Sequence, residues 1–127
     1  MVAQWTTLVL GASTKPERYA FKAITQLRAK NYSVVAVGAK TGTVAGVEFK
    51  TSLEQLPPIH TVSMYLSPAR QEMYYDKIIA LQPQRVLFNP GTENPAFAQR
   101  LQNEGIAVEN ACNLVLLATN QYETEKH

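Results

Sequence analysis

Eight residues near the start of the chain, Gly11-Ala12-Ser13-Thr14-Lys15-Pro16-Glu17-Arg18, bring together the groups that hold an anion. A glycine lets backbone come close to a ligand, and the N–H groups after it can donate to anionic oxygens at a helix start. The Ser13 and Thr14 hydroxyls add donors, and Lys15 and Arg18 add charge. Of the dinucleotide fingerprint G-x-G-x-x-G only the first glycine is present, so the loop carries no NAD signature. A plain capped turn between a strand and a helix uses the same residue types. A second signal is Val37-Gly38-Ala39-Lys40. At this place an NAD site usually carries an acid that accepts from ribose hydroxyls. Lysine suits a ribose that bears a phosphate; a solvated loop lysine is the other reading.

The remaining reactive side chains are few. Cys112 as a nucleophile needs a base beside it. His60 precedes a strand expected on the opposite edge of the sheet, and His127 ends the sequence. Cys112 therefore reads as a small, partly buried residue. One cysteine and two histidines make no zinc set and no internal disulfide, as expected of a cytoplasmic protein. Glu72 and Asp76 read as a solvated helix face, and the adjacent Tyr74 and Tyr75 as residues of which one or both pack.

The elements that must position these groups alternate short apolar runs with longer amphipathic ones. Trp5–Leu10, Tyr32–Val37, Thr61–Leu66, Arg85–Phe88 and Ile106–Glu109 read as five strands, and Val47–Phe49 as a minor one. Helices are expected over Arg18–Lys30, from Ser67-Pro68 to Leu81, from Asn94-Pro95 to Glu104 and over Asn113–Asn120. Ser52-Leu-Glu-Gln55 has the form of a capping box, stopped by Pro57-Pro58. Lys40–Gly46 reads as an excursion loop, and residues 121–127 as a frayed polar tail after a single domain of residues 1–120.

This alternation predicts a three-layer, doubly wound Rossmann-like α/β fold on a mainly parallel five-stranded sheet, with the first strand central. Ligands of such folds bind outside the carboxyl ends of the strands, where the strand order switches direction. That rule adds Ser67–Arg70, Asn89–Asn94 and Asn110–Asn113 to the two loops already named.

The 127 residues suffice for one core, and 46% apolar with 17% charged side chains is ordinary globular composition. No apolar run reaches the roughly 18–20 residues needed to span a bilayer, and Met1–Trp5 lacks the basic start of a secretory signal. A net charge of +2 argues against nucleic acid and membrane surfaces as partners. Its distribution is uneven, with seven basic and two acidic side chains in residues 1–50, against five and eight in the rest. A positive half on a nearly neutral chain suits a small anionic ligand such as a nucleotide. A solvated pair of helix faces gives the same count.

Over nearly all its length the chain resembles the small stand-alone CoA-binding domains, which are similar to the N-terminal domain of succinyl-CoA synthetase α subunits and ADP-forming acyl-CoA synthetases. The resemblance is carried by Val9-Leu-Gly-Ala-Ser13 with Pro16 and Arg18, by Val35–Lys40, and by Gly46–Pro57 with its Ser-Leu-Glu-Gln-Leu-Pro run. Asn89-Pro90-Gly91 and Asn110-Ala-Cys112-Asn113 complete it in the same order. It implies that Gly11, Ala12, Ser13 and Thr14 wrap the pyrophosphate of coenzyme A and that Lys40 lies near its phosphorylated ribose. Ser67, Pro68 and Arg70, with Asn89, Pro90 and Gly91, would flank the pantetheine arm, and the Cys112 thiol could stand near the CoA sulfur. Two departures touch the arm: Tyr65-Leu66-Ser67-Pro68 lacks the basic residue often found after this strand, and Asn89-Pro90 replaces a more apolar pair.

The expectation is a non-catalytic CoA or acyl-CoA binding module, since 127 residues leave no room for the phospho-histidine and ATP-grasp parts of the synthetases. The alternative is an NADP-type module, acting as a redox sensor or a reductase subunit, favoured over NAD by Lys40. An interaction domain with a vestigial pocket is a third class. Pairing into a homodimer, or with another protein, stays open.

Overall fold

The run Thr6–Leu10 (β1) is buried from Thr7 onward and holds the centre of the sheet in the computed structural model, which describes residues 5–123. It leads to helix Tyr19–Ala29 (α1) and strand Ser33–Val37 (β2). A hairpin of Thr43–Val44 (β3) and Val47–Lys50 (β4) follows, then strand Thr61–Met64 (β5). Pro68–Gln71 (α2) passes through a 3-10 turn, Glu72–Tyr74, into Tyr75–Leu81 (α3). Arg85–Phe88 (β6), Pro95–Asn103 (α4), Ala107–Asn110 (β7) and Asn113–Ala118 (α5) complete the order.

The sheet runs β3-β4-β2-β1-β5-β6-β7, parallel throughout except for the β3–β4 pair. The five expected strands are contiguous within it, and the hairpin raises the total to seven. The first strand of the hairpin lies in the segment expected to loop out, and its second is the minor strand expected at Val47–Phe49. Ala45 and Gly46 take φ of 50° and 82°, as a tight two-residue turn requires, and Val44, Val47 and Phe49 face inward and are buried. Alanine in place of Asn or Asp at the turn conceals that signal.

Alternation along the strands divides the core. Leu8, Leu10, Val86 and Phe88 point to one face, where Ile78 of α3 and Phe97 and Leu101 of α4 cover them. Val9, Ala36 and Leu87 point to the other, under Ala20, Ile24 and Leu27 of α1 and Leu117 of α5. Helices on both faces of a parallel sheet give the three expected layers.

Three local expectations are corrected. One helix was expected from Pro68 to Leu81, with Met73 on its apolar side; instead the 3-10 turn breaks it and Met73 is 75% exposed. Gln71 is fully buried, and its amide donates to Leu66 O (2.9 Å) and Thr92 O (2.8 Å), an anchor that apolar periodicity does not reveal. Ser52–Gln55 forms bends rather than a helix, because Gln55 takes a left-handed φ of 56° just ahead of Leu56-Pro57-Pro58. His60 is not at an edge, since β5 lies next to β1; its ring stacks on Trp5 (3.7 Å) at the amino ends of the strands, whereas Cys112 follows β7 at the carboxyl ends.

The frayed-tail reading fails at Tyr122, which is 2% exposed. Its hydroxyl shares a hydrogen bond with Thr7 Oγ1 (2.5 Å), and its ring lies 4.6 Å from the buried Arg85 guanidinium. Arg85 also donates to Thr61 Oγ1 (2.8 Å) and pairs with Glu109 (3.4 Å), with Trp5 contributing a second aromatic surface at 5.1 Å. The rest of that tail, residues 124–127 with His127, falls outside the described residues. Tyr122→Ala, which removes the ring that covers a buried cation, should lower stability by about 3 kcal/mol in urea unfolding.

Candidate functional site

Three strand ends meet around Gly11. Its N–H and that of Ala12 both donate to Val37 O (2.9 Å each), tying the exit of β1 to the exit of β2. Gly11 takes a φ of +98°, and a Cβ there would stand 3.0 Å from the Tyr65 carbonyl carbon and 3.2 Å from Leu66 Cδ2. A Cβ on Gly38 would stand 2.6 Å from Ala12 O. Backbone thus packs on backbone at both positions, and only glycine permits it.

From this junction the chain opens into α1. Ser13 Oγ accepts from Lys15 N–H (3.1 Å), and Arg18 N–H donates to Lys15 O (3.0 Å), which shapes residues 13–18 as turns. Arg18 is the N-cap, no side chain caps the helix, and its first turn holds no acid. The leading N–H groups of an eleven-residue helix are therefore left for an outside acceptor.

The far wall belongs to β5 and β6. Ser67 O accepts from Arg70 N–H (2.9 Å) and Gln71 N–H (3.1 Å) at the start of α2. Thr92 Oγ1 donates to Asn89 O (2.7 Å), closing the turn after β6. Between the walls lies a cleft of about 480 Å³. A recess of about 70 Å³ continues from it past Leu66 and Arg70 to Val37, Met73 and Tyr74.

Of the residues singled out in the sequence, Gly11, Ala12, Ser13 and Arg18 line one side of the cleft, and Ser67, Arg70, Pro90 and Gly91 line the other. Thr14 is turned away, its methyl group against the Gly42 loop. Lys40 is exposed beside Ala39, which does line the cleft, and Pro68 is exposed behind Ser67. Asn89 is buried as a brace: Nδ2 donates to Ser63 Oγ (3.0 Å) and Met64 O (2.9 Å), and Oδ1 accepts from Asn113 N–H (2.8 Å). Cys112 is half-buried at the start of α5 and does not line the cleft.

Sequence reasoning passed over Tyr19, Tyr65, Leu66 and Thr92 as lining residues. Tyr19, 67% exposed at the helix start, was the one with a signal, an aromatic side chain ahead of the apolar stripe. Chemically the site offers backbone N–H groups, the Ser13 hydroxyl and three cations, Lys15, Arg18 and Arg70, with no carboxylate among the lining residues. This donor set fits a polyphosphate, and the apolar recess beside it fits a flat or aliphatic group. No group of three His, Cys, Asp or Glu side chains that could hold a metal occurs among the described residues.

Comparison with known proteins bears on this geometry. A family model described as CoA binding domain matches residues 5–118. The chain belongs to that family. A crystal structure of an uncharacterized protein resembles this CoA-binding domain with a TM-score of 0.90 and 35% identity, over 94% of this chain and 99% of that one. A cell-free-produced protein from Thermus thermophilus follows at a TM-score of 0.83 and 26% identity, covering 93% and 90% of the two chains. The aspartate dehydrogenase of Thermotoga maritima is similar in fold alone, with a TM-score of 0.53 and 17% identity over 84% of this chain and 44% of that one. No curated protein matches the chain.

Gly11→Val places a branched side chain at a left-handed φ, against the Tyr65 backbone. It should cost about 2 kcal/mol of stability by urea unfolding.

Proposed function

We propose that the chain binds coenzyme A or an acyl-CoA in the cleft outside β1, as a binding module without chemistry of its own. The observation that carries this reading is the uncapped start of α1, facing the same cleft as Lys15, Arg18 and Arg70. Membership of the CoA-binding domain family supplies the ligand class. In this reading the Gly11–Ser13 backbone and the first turn of α1 hold the pyrophosphate, and Arg70, which borders both the cleft and its recess, meets a phosphate at their junction. Lys40, at the rim beside Ala39, adds an outer contact to the phosphate on the ribose.

These two cations separate the ligand classes. A charge-assisted contact contributes about 1.5–3 kcal/mol, roughly ten- to a hundredfold in affinity. Arg70→Ala should therefore weaken CoA at least tenfold in calorimetric titration. Lys40→Ala should weaken CoA but not dephospho-CoA, which lacks the ribose phosphate. Tighter binding of NADPH than of CoA by the unaltered protein would transfer the site to the alternative, a nicotinamide nucleotide.

A further inference from the structure

The loop that carries Lys40 rests at both of its ends on the Gly11–Thr14 loop. At one end Gly38 lies against Ala12, where a Cβ would stand 2.6 Å from the Ala12 carbonyl oxygen. At the other end Gly42 lies against Thr14, where a Cβ would stand 2.5 Å from Thr14 Cγ2 and 3.7 Å from Phe49 Cδ2. Hydrogen bonds to β4 fasten the same two residues. Gly38 N–H donates to Lys50 O (3.0 Å), and Gly42 O accepts from Phe49 N–H (2.8 Å). Phe49 is itself buried in the core on the α1 side of the sheet. The residues between the two glycines, Ala39, Lys40 and Thr41, are all exposed. Lys40 therefore sits in the middle of a short span whose course is set at its ends.

The two ends are held by different groups. Gly38 meets backbone, whereas Gly42 meets a single methyl group on Thr14. Threonine is branched at Cβ, so its methyl has few places to go once the backbone is fixed. That backbone is fixed on its amino side, where Gly11 and Ala12 N–H both donate to Val37 O (2.9 Å each). Ser13 Oγ, accepting from Lys15 N–H (3.1 Å), shapes the turn around Thr14. Thr14 does not line the cleft; what it contributes is the methyl group against Gly42. A shift of that group moves one end of the span that carries Lys40.

We infer that Thr14 is a positioning residue: its methyl group, packed on Gly42, holds the Lys40 loop where the lysine reaches a phosphate on the ribose of the ligand. The inference rests on the CoA reading and on its outer contact at Lys40. It ties the preference for a phosphorylated ribose to a side chain that stays off the ligand.

Two variants separate the methyl from the hydroxyl. Thr14→Val keeps the methyl and removes the hydroxyl, and Thr14→Ser does the reverse. CoA and dephospho-CoA are titrated calorimetrically into both variants and the unaltered protein. The unaltered protein should prefer CoA about tenfold or more. Thr14→Val should keep that preference. Thr14→Ser should cut it about threefold or more, by weakening CoA while dephospho-CoA binds as before. Loss of the preference in Thr14→Val, or an undiminished preference in Thr14→Ser, overturns the inference. So does a Thr14→Ser loss that is equal for both probes, which makes the methyl a support of the phosphate loop alone. An unaltered protein that binds the two probes equally overturns the inference through Lys40 and leaves the CoA reading standing. One that binds neither overturns that reading as well.

Discussion

The site depends on β1 being flanked by strands whose connections leave on opposite faces. After β1 the chain turns into α1, which covers Val9 and Ala36; after β5 it turns into α2 and α3, which cover Leu8 and Leu10. The two connections diverge above the carboxyl end of β1, and a cleft opens there without any residue being spent to make it. Gly11 and Gly38 keep that cleft shallow and lined by backbone, because the exits of β1, β2 and β5 pack closer than a Cβ allows. The N–H groups of the turn and helix are brought to the surface of the cleft by the same constraint.

A group of buried amides holds the far wall against this junction. Gln71 links the exits of β5 and β6 through Leu66 O and Thr92 O, and Asn94 joins Gln71 Oε1 (3.0 Å) to the Tyr75 hydroxyl (2.8 Å). Asn94 also caps α4 through Phe97 N–H (3.1 Å), and Asn89 fastens α5 through Asn113 N–H. Each buried amide that loses a partner costs about 1–3 kcal/mol, so a displaced loop is penalised at several atoms together. The loops that carry Ser67, Arg70 and Gly91 are therefore placed by side chains that do not themselves line the cleft.

Much of this was legible from spacing alone. Apolar runs of four to six residues alternating with 3.6-residue stripes were enough for the parallel sheet and a central β1, and α1 was expected within a residue at each end. The cleft followed from topology, which is why eight residues chosen from three loops converge in it. What stayed hidden depends on partners far apart in the chain. Tyr122 looked like part of a polar tail because its partners, Thr7 and Arg85, are distant in sequence. Gln71 looked like a surface residue because an amide gives no periodic signal. Asn89 was taken for a ligand contact because Asn-Pro-Gly marks a turn but does not say which way the asparagine points. Lys40 carries the right charge at the right strand end, but one residue of offset sets it outside the lining.

We place bound CoA at the divergence above β1. Amide hydrogen–deuterium exchange, compared with and without saturating CoA, tests this placement. Slower exchange should be confined to the stretch from Gly11 to Ala20 and to the segments around Ser67–Arg70 and Gly91–Thr92. Protection centred on the Arg85–Tyr122 end of the sheet, or none at all in the Gly11–Ala20 stretch, would contradict it.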